Sequence, residues 1–198
     1  MAIIVDKVKK RQDIALSCKE LLIKEGFHRL TISKITQTAG ISKGSFYDYF
    51  ENKEDLVFEV VSLMMSEYNK RLKKQIEHIK TTKEKIKAIT AFFYRDEFKD
   101  LREIYSQFAA ISLMEKNEAI AKFQQKNHEF YHKWVEEIFK EGIKRGEITP
   151  KALDLIDGIF AAIKGFFISF KIMEKESLLE NEINRFLETI FKMIEVKK

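Results

Sequence analysis

Apolar residues along this chain recur three and four positions apart, a spacing that predicts helices from end to end. Ile14, Cys18, Leu21 and Leu22 share one face of a first helix over 6–25, and Gly26 is suited to the position just after its end. Thr31 caps a second helix over 32–39 that turns Ile32, Ile35 and Ala39 inward. Gly40 supplies a left-handed turn plugged by Ile41, and Ser42 caps a third helix over 43–49. Asn52, followed by Glu54 and Asp55, opens a fourth helix with acidic residues at the positive end of its dipole. Val57, Val60, Val61, Met64, Tyr68, Leu72, Ile76 and Ile79 keep that helix periodic to residue 80. Thr81 and Thr82 offer a break and a new cap, and further helices are expected over 83–98, 101–114, 119–144, 151–174 and 178–196. With one proline and no long alternating Val/Thr run, the expected fold is all-α. It divides into a three-helix head over 1–51 and a larger helical body over 52–198, connected by the helix over 52–80.

Charge sharpens that division. The net charge is +5, and residues 1–47 carry nine Lys/Arg against four Asp/Glu, whereas the remainder holds 27 of each sign. The whole excess sits on the head, as expected if that part approaches phosphates. The single cysteine, Cys18, has no internal disulfide partner and is expected to be a buried small hydrophobe. The opening MAIIVDKVKK lacks the basic-then-apolar order of a signal peptide, and the longest apolar run, 159–170, is interrupted by Lys164. A cytoplasmic protein with no membrane partner is the expectation.

The short second and third helices, joined by Ala39-Gly40-Ile41-Ser42, have the layout of a helix-turn-helix whose second helix enters the major groove. Gly26-Phe27, Thr31, Ile35, Ala39-Gly40-Ile41-Ser42, Lys43-Gly44, Phe46-Tyr47, Tyr49-Phe50, Asn52-Lys53-Glu54 and Leu56 together resemble the tetracycline-repressor (TetR) family of bacterial transcriptional regulators. The resemblance implies a DNA-binding regulator, most often a repressor, and neither an enzyme nor a protein needing a cofactor. On this reading Thr31 and Ser42 cap helices where hydroxyls and free N–H groups clamp phosphate oxygens. Gly44 lets the backbone come close, and Lys43, Ser33 and Ser45 point outward to base edges or phosphates. Tyr47 and Tyr49 offer hydroxyls to the backbone, and the family implies a phosphate contact for Lys53. Two positions depart from the family pattern: Thr36 stands where alanine is usual, with a hydroxyl able to bond back to the Ile32 carbonyl, and Tyr49 where histidine is frequent.

For the body, the resemblance implies an effector cavity. Phe92, Tyr105, Phe108, His128, Tyr131, Trp134 and Phe166 are its expected lining, with Gln107, His128 and His132 as polar anchors, which favours a small apolar or aromatic effector. Gly158, Ala162, Gly165 and Ser169 form a stripe of small residues, and Leu187 and Phe191 lie on the apolar face of the final helix. The family's four-helix dimer bundle suits both, so a homodimer gripping a pseudo-palindromic operator is expected. One motif competes: His128-Glu129-Phe130-Tyr131-His132 matches HExxH, the zinc hydrolase signature, with both histidines on one helix face. Its metzincin continuation fails, because Val135 and Ile138 stand where glycine and a third histidine are required.

Overall fold

The computed structural model describes residues 2–196, with side chains from residue 7 onward. Ten α-helices follow one another among these: α1 (Ala2–Ser17), α2 (Lys19–Arg29), α3 (Ile32–Ala39), α4 (Lys43–Tyr47), α5 (Lys53–Glu77), α6 (Thr82–Thr90), α7 (Lys99–Met114), α8 (Glu118–Lys144), α9 (Ile156–Ile172) and α10 (Leu179–Ile194). Short 3-10 turns fill several connections, and the one β-bridge among the described residues joins Ile148 to Glu195. The fold is all-α, with a helix-turn-helix head at the N-terminal end and a larger helical body, and no described helix is long and apolar enough to cross a membrane. Contacts divide the chain into two compact units: residues up to Lys70 with Asp100–Ala121, and Arg71–Lys99 with Lys122 onward.

In the first unit, the helix expected over 6–25 is two helices. The chain leaves α geometry at Cys18 (φ −92°, ψ 0°) and resumes at once. The inward row is preserved across the break, because Ile14, Cys18 and Leu22 are all buried. Gly26 ends the regular part of α2 at φ 73°, ψ 169°, a conformation that side chains disfavour. A Cβ there would also come within 3.0 Å of the Gln107 amide oxygen. That oxygen accepts the Phe27 N–H at 3.0 Å, while Lys53 Nζ donates to the carbonyls of Phe27 and Leu30 at 3.3 and 3.5 Å. The Phe27 ring, buried, meets Phe108 edge-on at 5.8 Å, and Phe108 meets Phe58 at 6.1 Å. Arg11 braces the other side: its guanidinium reaches Asp55 at 2.7 Å and Glu59 at 3.1 Å, and lies 4.4 Å over the Phe50 ring. The hydrogen bonds from Arg11 hold the Asp55 carboxyl below its usual range against the opposing effect of burial.

The second unit is built around α10, whose Leu179, Ile183, Leu187, Phe191 and Ile194 are all buried and which packs on α6 and α9. From α9 come Ile156, Ile159, Ile163 and Phe167. The helix expected over 83–98 is shorter: α6 ends at Thr90, a 3-10 turn follows, and Arg95 is extended (φ −74°, ψ 135°). The helix expected over 151–174 begins as a 3-10 turn, Pro150–Leu155, before α9. At the start of α6, Thr82 is buried, and its N–H and hydroxyl donate to Glu147 at 2.8 and 2.7 Å. Arg145 holds the other carboxylate oxygen at 2.7 Å, and the backbones of Thr149 and Val196 pair with Ile194 and Glu147.

Two stability predictions follow from these knots. Burial alone raises the Glu147 pKa, but Arg145 and the two Thr82 donors outweigh it and bring it from 4.5 to about 2. The group therefore stabilises the fold above its unfolded pKa, and that contribution disappears as pH falls from 4.5 toward 2. Glu147→Gln should lower stability at pH 7 by about 1 kcal/mol, less than the full linkage equivalent because solvent screens this partly exposed group, and the gap to the parent should narrow in urea melts below pH 4 or so. Gln107→Leu leaves the Phe27 N–H without its acceptor and should cost about 1–2 kcal/mol in the same assay, with the helical circular dichroism kept.

Candidate nucleic-acid interface

The reading head is assembled by its caps. Thr31 is extended (φ −126°, ψ 154°), and its hydroxyl accepts the Lys34 N–H at 3.3 Å to begin α3. Gly40 ends α3 in the left-handed region (φ 64°, ψ 34°); its N–H bonds Gln37 O and that of Ile41 bonds Thr36 O, the paired closure that satisfies the last carbonyls. Ser42 then accepts the Ser45 N–H at 3.0 Å and opens α4. The third helix expected over 43–49 is regular only to Tyr47; turns carry the chain on, with Phe50 N bonded to Phe46 O.

The inward side of α4 is Phe46, fully buried and stacked on Phe50 at 5.5 Å. This leaves Ser42, Lys43, Gly44 and Tyr47 exposed, with the Tyr47 ring edge-on to Phe46 at 5.3 Å. Lys43 makes no ion pair among the described residues. Thr31 and Ser33 are exposed on α3. Ser45 is half-buried, and its hydroxyl lies 3.0 Å from that of Ser42, so the two form one polar pair beside Lys43. Tyr49 is half-buried, and its carbonyl accepts from Arg11. Lys53 is half-buried too, and the carbonyls of Phe27 and Leu30 compete for the cation that the resemblance assigns to phosphate. The Thr36 hydroxyl bonds back to Ser33 O at 3.1 Å rather than to Ile32. Sequence reasoning passed over Gln37 and Thr38, both exposed on the last turn of α3; nothing distinguishes such residues from ordinary helix surface before the turn is seen.

The residues expected to line an effector cavity fall in both units. Phe108 is buried in the core of the first unit against Phe27 and Phe58, and is core filling rather than lining. Gln107, expected as a ligand anchor, is spent on Phe27 N–H instead. Tyr105, in the same unit, has its hydroxyl pKa raised by burial. In the second unit, Phe92 stacks on Phe98 at 6.2 Å, Tyr131 stacks on Trp134 at 6.3 Å, and Phe166 meets Phe186 at 5.5 Å. The dimer stripe divides differently. Gly158, Gly165 and Ser169 are exposed, Ala162 is half-buried, and a Cβ on either glycine would touch nothing. Leu187 and Phe191 are not part of an exposed seam, because both are sealed in the core of the second unit, Phe191 against Phe139 at 6.2 Å. The outward row of α10 is instead Phe186, Ile190 and Met193, the last 74% exposed.

The HExxH histidines stand 5.9 Å apart between ring centroids, but their surroundings do not suit a cation. Lys164 Nζ lies 3.4 Å from His128 Nδ1, His132 Nε2 is taken by Asp157 at 3.2 Å, and Glu129 accepts from Gln125 at 2.8 Å. No cluster of three His, Cys, Asp or Glu able to hold a metal occurs among the described residues. The donor set for catalytic zinc is therefore incomplete.

Comparison with known proteins converges on the head. Residues 18–60 match the model for bacterial regulatory proteins of the tetR family. The chain is 28% identical over 145 residues to the fatty acid metabolism regulator protein of Bacillus subtilis, covering 72% of each chain. Among solved structures, a TetR-family transcriptional regulator from Cytophaga hutchinsonii superposes with a TM-score of 0.80 at 21% identity, covering 98% of both chains. The transcriptional regulator FadR from Bacillus subtilis, solved with stearoyl-CoA, superposes with a TM-score of 0.66 at 23% identity, covering 88% of this chain and 96% of that one. These two likenesses extend the shared fold beyond the head to the helical body. The capped α3–turn–α4, with its exposed Lys43, Gly44 and Tyr47, lies within the matched segment, so the head of this chain is a helix-turn-helix of the kind found in tetR-family regulatory proteins.

Proposed function

We propose that the chain is a homodimeric repressor that grips a pseudo-palindromic operator and is released by an effector carrying a long apolar portion. The observation that carries the DNA reading is the outward side of α4: a lysine without an ion pair among the described residues, a glycine, two serine hydroxyls and an exposed tyrosine on a helix anchored from behind by Phe46. Thr31, Ser33, Ser42, Lys43, Gly44, Ser45, Tyr47 and Tyr49 are the contact set, with Lys53 joining only if it leaves its carbonyls. Hydroxyls and a single lysine offer few bidentate groups, so phosphate contacts and DNA shape carry much of the recognition.

Two copies of α4 must reach half-sites ~34 Å apart, which calls for a dimer. The exposed small row of α9, continued by Ile172 at 77% exposure, and the outward α10 row of Phe186, Ile190 and Met193 are the surfaces that support it. Small residues let two helix backbones approach, while the apolar side chains supply the area to bury. For the effector, the second unit contributes Phe92, His128, Tyr131, Trp134 and Phe166, and the similarity to a fatty acid metabolism regulator favours an acyl chain. An effector that binds the non-DNA state ~100-fold more tightly contributes at most about 2.7 kcal/mol per site, enough to empty an operator of moderate affinity when both sites fill.

Lys43→Ala should weaken binding to the DNA upstream of the protein's own gene by about tenfold, and should lower the salt dependence by about one ion per lost phosphate contact, read by fluorescence anisotropy across a salt series. Unchanged affinity and slope would remove α4 from the interface. A Cβ at position 165 has nothing within 4 Å of it, so Gly165→Leu should leave the monomer its helical content and melting behaviour. Sedimentation should show it shifted from dimer to monomer; a dimer that persists would displace the seam from α9.

A further inference from the structure

Lys164 is the half-buried cation of α9 that the fold leaves without an acid. Its Nζ lies 3.4 Å from His128 Nδ1 and 5.8 Å from the Phe160 ring centroid, and no carboxylate pairs with it among the described residues. The two acids whose charges act on His128 are engaged elsewhere: Asp157 with His132 at 3.2 Å and Glu129 with Gln125 at 2.8 Å. Burial pushes the Lys164 pKa down, and burial followed by the Lys164 charge does the same to His128. Phe160 forms an aromatic wall beside them, edge-on to His128 at 5.4 Å and stacked on His132 at 6.1 Å. A desolvated ammonium without a counter-charge is unfavourable, and an incoming anion relieves it. The same positive charge argues against a metal at His128. An ammonium has three N–H donors, and His128 accepts only one. A cation with spare donors against an aromatic surface is chemistry for the acidic end of an amphiphile.

We infer that Lys164, with His128 beside it, holds the oxyanion of the effector, either the carboxylate of a long-chain acid or the phosphate of a phosphorylated acyl carrier. This rests on the proposed apolar effector for the tail and adds to it a defined acidic head. Lys164 supplies the charge, and His128, in the tautomer whose Nδ1 accepts from Lys164, offers its Nε2–H as a second donor.

The test is calorimetric titration of the full chain with palmitate, hexadecyl phosphate and hexadecanol, three ligands sharing one tail. The parent should bind one of the two anions at least about tenfold more tightly than the alcohol, the worth of a charge-assisted hydrogen bond in a partly desolvated site. The preferred anion separates the carboxylate source from the phosphate source. Lys164→Met should bind the alcohol as the parent does and lose the preference for anion, and without ligand it should melt no lower than the parent, since it removes a buried charge. Lys164→Gln serves as the second variant if the methionine fails to fold. Retention of the anion preference in either variant overturns the proposal. So does equal binding of alcohol and anion by the parent, an outcome that leaves the apolar effector standing. If none of the three binds, the effector reading and the anchor fall together.

Discussion

The backbone of one residue ties together three helices of the first unit. Phe27 follows a glycine at φ 73°, and the backbone N–H and C=O of this one residue, which lie in successive peptide groups, are both claimed from far along the chain: the N–H by Gln107 of α7, the C=O by Lys53 of α5. A buried amide left unpaired costs about 1–3 kcal/mol, so three helices are held to one point by groups that cannot be released cheaply. The segment leaving that point runs through Leu30, fully buried, into Thr31, which opens α3. The orientation of α3, and through its closing turn that of α4, therefore starts from where Phe27 is fixed. The Phe27–Phe108 and Phe58–Phe108 ring contacts fill the space around it with apolar matter and exclude the water that would otherwise compete.

This arrangement explains which parts of the fold could be seen in the sequence. Caps are local: Thr31, Ser42, Asn52 and Thr81 each satisfy an N–H a few residues ahead, and all four do so where expected. Gly40 is legible for the same reason, since a left-handed residue after a helix needs little but its neighbours. The break at Cys18 left no mark, because the buried row Ile14, Cys18, Leu22 keeps its spacing across it and neither proline nor glycine signals the change. Gln107 and Lys53 were legible as polar residues, but their partners lie 80 and 26 positions away, a distance over which no spacing rule operates. The polar composition of the turn and of α4 was recognisable; the degree to which each side chain is engaged within the chain was not. Ser42 and Ser45 share a hydrogen bond, and Lys53 is engaged with carbonyls.

The same distinction governs α9 and α10. Apolar periodicity states that a helix has a face to bury, but not which surface buries it. Leu187 and Phe191 belong to the strongest such face in the chain, and it closes on α6 and α9 within the second unit rather than on another copy. What stays on the outside is the weaker signal: a row of small side chains on α9 and a sparse apolar row ending in Met193. Small residues are informative here because a Cβ on Gly158 or Gly165 would meet nothing in the chain itself, so packing inside the chain gives no reason for their size.

α9 accordingly has three rows with different physical fates. Ile156, Ile159, Ile163 and Phe167 make core, where volume matters and polarity is excluded. Gly158, Gly165 and Ser169 leave room, where the absence of a side chain matters. Between them run Phe160 and Lys164, too large for the second role and, in the case of lysine, too polar for the first. A fold selected only for stability would place an apolar residue at Lys164, since burying an unpaired ammonium opposes folding. Its cost is offset when an anion arrives, which makes the unliganded state the less comfortable one electrostatically. A regulator whose effector supplies a missing counter-charge gains binding free energy from a defect present in the free protein. With the proposed anchor, that gain is restricted to molecules with an acidic head, so one lysine would set both the strength of the response and the chemistry to which it responds.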